Sequence, residues 1–203
     1  MFERFETREQ SGEAPDTELL QAALNGSGDA ISALYRRHGS LIYRFTLRIS
    51  QDPGIAEEVT QEVFLALLNQ LDRFDPARGA LSTWLCGIAR RQLLKHLGKF
   101  EDDRTGGGEN DAIETESLDD SPMTMLIRQE AVASVWRGLN ELPLPLREVI
   151  VLCELEEMSY EATATVLAIP IGTVRSRLHR AKARLASQLR NQTLCVETEK
   201  KCG

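Results

Sequence analysis

"SYEATATVLAIPIGTVRSRLHRAKARL", residues 159–185, reads as a short apolar-patterned segment, a break, and a longer cationic segment. Ser159 is a helix-capping residue type, and the helical pattern behind it runs to Leu167. "AIP" then interrupts the chain. Pro170 cannot continue that helix and disfavours helical geometry at Ile169. A longer helix is predicted to begin around Ile171 to Thr173. A short helix, a tight turn and a second helix form the helix-turn-helix pattern, in which the second helix enters the DNA major groove.

The spacing within that second helix supports the pattern. Val174, Leu178, Ala181, Leu185 and Leu189 recur at helical intervals and make one narrow apolar stripe. Arg175 and Lys182 flank one edge of it, Arg177 and Arg184 the other. Ser176, His179, Arg180 and Ala183 occupy the outward arc. Cations on both shoulders suit phosphates on both sides of a groove. Small outward residues let the backbone approach base edges, and Arg180 has the reach and fork geometry for a guanine. A solvated basic helix packed on its neighbours would share the charge but not the helix-turn-helix placement.

Upstream, Ser121-Pro122 is a cap and first-turn pair for a helix to about Glu141. A second helix begins near Pro145, and Val149, Ile150, Leu152, Cys153 and Leu155 mark it as well buried. Before these lies "EDDRTGGGENDAIETESLDD", residues 101–120, which contributes −8 to a chain of net charge −7 and leaves about +1 for the rest. So polar and acidic a stretch cannot bury enough surface to fold alone. It is expected to be a flexible linker between two helical modules.

The first module is predicted to start with Asp16 as an N-cap, and its first helix to end at Gly26 as a C-cap. Ile31, Leu34, Tyr35, Ile42, Phe45 and Ile49 give the next helix its apolar face. Asp52-Pro53 opens a third helix to about residue 71. Its buried stripe is Val59, Val63, Leu67 and Leu71, with Phe64 and Leu68 beside it. Glu57, Glu58, Gln61 and Glu62 lie on its polar side. "DRFDPARGALS" is a turn-rich connection to a final helix at 83–99 that carries Arg90, Arg91, Lys95 and Lys99 without an acid. One acidic face beside one basic face suggests two partners of opposite charge.

These segments resemble a known family. "DPGIAEEVTQEVFLALL" and "FDPARGALSTWLCGIARRQLLKHL" are similar to region two of bacterial sigma factors of the extracytoplasmic-function type, and residues 159–185 to their region four. The resemblance implies an all-α chain of two small domains. The expected divisions are an N-terminal segment to 15, region two at 16–99, the linker at 100–121, region four at 122–190 and a tail at 191–203. It implies a dissociable subunit that binds RNA polymerase core enzyme and directs it to promoters, in a stress or envelope response. Glu57, Glu58, Gln61, Glu62 and Phe64 would meet the core enzyme. Phe74, Arg78, Ser82, Arg90, Arg91, Lys95 and Lys99 would read and open the minus-ten element. Thr173, Arg175, Ser176, Arg177, His179, Arg180, Lys182 and Arg184 would read the minus-thirty-five element. An anti-sigma protein is a further expected partner of the type. This chain departs from the family at Arg91 and Lys95, where Asn and Asp are frequent, and at Ala168, where Gly is usual.

Other classes fit less well. A stand-alone helix-turn-helix regulator is the alternative, but it leaves the first module unexplained. Phosphate-binding Gly-rich loops and zinc-protease patterns are absent from the sequence, so neither an active site nor a metal or other cofactor is expected. No run is apolar enough to insert in a membrane, and a cytoplasmic monomer with free thiols is expected. Cys86 and Cys153 fall within helices as small apolar residues, while Cys195 and Cys202 lie in the tail.

Overall fold

The computed structural model describes residues 14–101 and 122–199, with side chains at 14–98 and 130–190. The acidic linker, the N-terminal segment before residue 14, the Ser121 cap and Cys202 lie outside the described residues, as does the side chain of Cys195. Among the described residues there are no strands. The helices are α1 (Asp16–Leu24), α2 (Gly28–Ser50), α3 (Pro53–Leu68), α4 (Leu81–Glu101), α5 (Pro122–Asn140), α6 (Leu144–Ile150), α7 (Tyr160–Leu167) and α8 (Ile171–Glu199). None of them is long and apolar enough to cross a membrane.

In the first module the caps set the helix starts. Ser27 accepts from the Ala30 N–H at 3.3 Å and Asp52 from the Ile55 N–H at 3.1 Å, each satisfying a donor that the first turn leaves unpaired. Leu34, Ile42 and Phe45 of α2 meet Val59, Val63 and Leu67 of α3 and Leu85 and Leu93 of α4, all essentially inaccessible. Each such side chain contributes about 1.5–3 kcal/mol by leaving water. Four details differ from the sequence reading. Asp16 is the first residue of α1 rather than its cap, and its carboxylate instead bonds Arg37 at 2.7 Å and His38 at 2.9 Å. Tyr35 and Leu68 are exposed, not core. α3 ends at Leu68, and Leu71 packs inward from a separate 3-10 turn, Leu71–Arg73. α4 begins two residues earlier than expected, at the buried Leu81.

In the second module α6 runs into a π turn, Val151–Leu155, that keeps Val149, Ile150, Val151 and Leu152 buried in succession. Val174, Leu178 and Ala181 of α8 close that core. Gly138 permits the close approach of α5 and α8, since a Cβ there would lie 2.6 Å from Leu185 Cδ1. α8 continues to Glu199, so the segment expected as a tail is helical through that residue.

Arg147 organises this module although nothing in the pattern singled it out. It donates to the carbonyl oxygens of Leu139 at 3.1 Å, Asn140, and Leu142 at 3.1 Å, at the end of α5 and in the turn that follows it. A fourth bond reaches Ile49 O of the first module at 3.1 Å. The two modules therefore touch, and α7 lies against α4.

Candidate nucleic-acid interface

The turn before α8 has a defined hydrogen-bond pattern. Ser159 accepts from the Ala162 N–H at 3.1 Å and starts α7 as the sequence predicted. At its other end the Ala168 N–H donates to Thr165 O and the Ile169 N–H to Ala164 O. With Ala168 at φ +54°, this is a Schellman cap that carries alanine where glycine is preferred. The cap turns the chain so that Pro170 O accepts from Thr173 and Val174, and α8 begins.

α8 then buries its narrow stripe and turns its cations out. Arg175, Ser176, His179, Arg180, Lys182 and Arg184 are exposed, whereas Thr173 and Arg177 are half-buried. Several outward groups are pre-positioned by the protein itself. The Arg175 guanidinium lies 5.9 Å from the Tyr160 ring centroid, and Arg180 Nε donates to Ser176 O at 3.3 Å. Lys182 is paired with Glu154 at 2.8 Å, and that carboxylate holds its ammonium above the usual lysine range.

The first module has its own candidate surface at α4 and the loop before it. Phe74 and Trp84 meet at 5.8 Å between ring centroids, and both pack on the core. They also line a cavity of about 220 Å³ with Arg78, Thr83 and, from the other module, Thr165 of α7. Trp84 is thus both a packing residue and a cavity wall, while Thr83 and Thr165 were not anticipated there. Ser82 is half-buried and Arg91 is exposed; Lys95 donates to Gln92 Oε1 at 2.9 Å. Lys99 lies beyond the described side chains. Arg90 is not free: its Nε donates to Glu148 Oε1 at 2.6 Å.

α3 presents the acidic face. Glu57, Glu58 and Gln61 are exposed and Glu62 half-buried. Phe64 is buried behind them with its ring 4.7 Å from that of Tyr35. His96 of α4, itself buried, stands 3.2 Å from Glu62 and 3.7 Å from Glu58 and so anchors that face from below. These three side chains are the one group among the described residues whose donor atoms approach closely enough to suggest a metal, all within 4.8 Å of one another. His96 accounts for their proximity through its own hydrogen bond. Cys86 is fully buried, and burial, then the charge of Glu156, pushes its thiol up to about 12. It is an inert packing group.

Residues 34–101 match the family model described as Sigma-70 region 2, and residues 133–185 the model described as Sigma-70, region 4. The RNA polymerase sigma-H factor of Pseudomonas aeruginosa is 34% identical over 176 residues, which are 82% of this chain and 90% of that protein. The ECF RNA polymerase sigma-E factor of Escherichia coli is 31% identical over 186 residues, 85% of this chain and 93% of its own. Among solved structures, CnrH in complex with the cytosolic domain of CnrY superposes with a TM-score of 0.64 at 27% identity. The match covers 87% of this chain and 97% of CnrH. Two region models in chain order, and relatives matched nearly end to end, place the chain in the sigma-70 family, among the extracytoplasmic-function RNA polymerase sigma factors.

Proposed function

We infer that the chain is a promoter-specificity subunit: it binds RNA polymerase core enzyme through α3, and promoter DNA through α4 and α8. It has no catalytic role of its own, and it acts where the polymerase is, in the cytoplasm. The division into region two at 16–99, a linker at 100–121 and region four at 122–190 fits this separation of tasks. The observation that carries the reading is the placement of opposite charge on separate helices: an exposed carboxylate row on α3, and exposed cations without acids along 171–185 of α8.

Each surface has a chemistry suited to its task. Glu57, Glu58, Gln61 and Glu62 offer acceptors to a basic partner surface, with His96 and Phe64 supporting them from behind. On α8, Arg175, Arg177, Lys182 and Arg184 supply the phosphate contacts that fix position. Ser176, His179 and Arg180 face base edges, and Thr173 lies in the first turn, where the helix N-terminus favours an anion. In the first module, melting requires a place for an unstacked base. The Phe74–Trp84 cavity provides aromatic walls for stacking and Arg78 provides charge, with Ser82, Arg90, Arg91, Lys95 and Lys99 along the strand path. An anti-sigma protein is the regulatory partner that suits such a subunit.

The core-binding half of this reading is tested by gel filtration of the chain with purified bacterial core polymerase. Co-elution is expected, and it should be lost when Glu58, Gln61 and Glu62 are together replaced by Lys. Failure of the unaltered chain to co-elute would refute the assignment.

A further inference from the structure

α2 and α3 do not close on each other along their whole length. Tyr35 and Tyr43 stand two turns apart on one face of α2, about 12 Å at 1.5 Å per residue, and Gly39 lies midway between them. A Cβ at Gly39 would touch the Tyr35 ring at 3.5 Å, so any side chain there would occupy space that the glycine leaves open. Glu57, Thr60 and Gln61 of α3 form the facing wall, and the two helices bound a recess of about 260 Å³. Phe64 backs the Tyr35 ring at 4.7 Å between centroids, yet Tyr35 remains 50% exposed. An aromatic side chain so exposed, beside a glycine floor, leaves a surface unfilled by the chain's own packing.

The recess is aromatic at its ends and anionic at its rim. Glu58 and Glu62 of α3 lie 3.7 and 3.2 Å from His96, but among the described residues Glu57 makes no ion pair. A partner side chain entering the recess would strip water from Glu57. A carboxylate dried without a counter-charge is costly, so the occupant that suits this site is a cation. A guanidinium suits it better than an ammonium. Its flat face stacks on an aromatic ring, its fork takes a carboxylate with two parallel bonds, and its aliphatic stem covers apolar wall. We propose that the recess receives one arginine side chain of the core enzyme's basic surface, with the guanidinium between Tyr43 and Glu57 and the stem over Gly39. The proposal rests on the core-binding assignment of α3 above and adds α2 to that surface. The carboxylates of α3 attract a basic partner in general, while Gly39 and Tyr43 select arginine and fix where it docks.

The test measures the affinity of the full chain for purified bacterial core polymerase by biolayer interferometry at one fixed ionic strength. E57Q removes the charge and keeps the shape; Y43L keeps apolar bulk and removes the aromatic face. E57Q should weaken binding about tenfold and Y43L about fivefold, in line with a lost charge-assisted pair and a lost cation–ring contact. One guanidinium serves both groups, so the double variant should lose about tenfold rather than the roughly fiftyfold product. Y43F keeps the ring and should bind like the unaltered chain. Should Y43L lose its helical circular dichroism, G39A tests the same recess. Its methyl makes only ordinary contact with Tyr35, and it should weaken binding severalfold by narrowing the floor. Unchanged affinity in folded Y43L or in G39A would overturn the receptacle and leave Glu57 as a general attractant. The full product in the double variant would overturn the single shared arginine. In either case the unaltered chain still binds core polymerase and the sigma reading stands, whereas no binding by the unaltered chain would remove both.

Discussion

Replacing Arg147 by Ala should cost about 3 kcal/mol of stability, although the residue is not among those assigned to DNA or to the core enzyme. Its guanidinium donates to four carbonyl oxygens, three around the α5–α6 turn and one at the end of α2. Hydrogen bonds from a charged donor contribute about 1.5–3 kcal/mol each, which sets an upper bound well above the expected loss. Two effects reduce it. Arg147 is half-buried, so water can replace it at some carbonyls, and burying its charge was itself costly, as its lowered pKa indicates. A loss of about 3 kcal/mol remains, a large part of the roughly 5–15 kcal/mol available to a small domain. Urea unfolding followed by far-ultraviolet circular dichroism measures it. Arg147→Lys should recover less than half, because one ammonium cannot span acceptors on both sides of the turn. A loss below about 1 kcal/mol for the alanine variant, the range of ordinary surface changes, would refute the role given to Arg147.

Three smaller effects follow from the same structure. Ala168→Gly should stabilise the chain by about 1 kcal/mol in thermal or urea unfolding, because a left-handed alanine carries about 1–2 kcal/mol of strain that glycine lacks; unchanged stability would contradict the capped-turn geometry. The Cys86 thiol, with its pKa near 12, should resist alkylation at pH 8 in the native chain and react once urea unfolds it, as read by mass spectrometry. Asp16 has a carboxyl that burial tends to raise but that His38 and Arg37 hold below its ordinary value. Its folded pKa being depressed, its contribution is present above about pH 4 and is lost as pH falls through the folded value. Asp16→Asn should therefore lower the urea midpoint at pH 7 and shrink the difference between pH 7 and pH 3; an equal pH slope in both proteins would count against the pair.

The sequence was most informative where local signals coincide. Ser159, Pro170 and the spacing from Val174 to Leu189 fix α7, the turn and the face of α8, because caps, proline and helical period all act within a few residues. The Asp52-Pro53 start and the Val59–Val63–Leu67 stripe were legible for the same reason. Helix ends were less so: α3 stops at Leu68 although apolar residues continue, and α8 runs past 190 through residues with little apolar pattern. Long-range pairing was not legible at all. Arg90 looked like a free cation on a basic helix, yet Glu148, 58 positions away, occupies it. Glu156 carries no local signal of burial, yet Arg48, 108 positions away, helps bury it. Arg147 belongs with these, since its value lies in carbonyl groups that every residue carries. His96 was likewise silent, because its link to Glu62 depends on how α4 lies on α3.

The most direct test of the central claim is in vitro transcription with purified bacterial core polymerase on a pool of genomic promoter fragments, with and without this chain. The account predicts discrete transcripts that require the chain and fade when Arg175 and Arg180 are replaced by Ala. Absence of any chain-dependent transcript, with duplex DNA still bound by the chain alone, would contradict it and leave a helix-turn-helix regulator in its place.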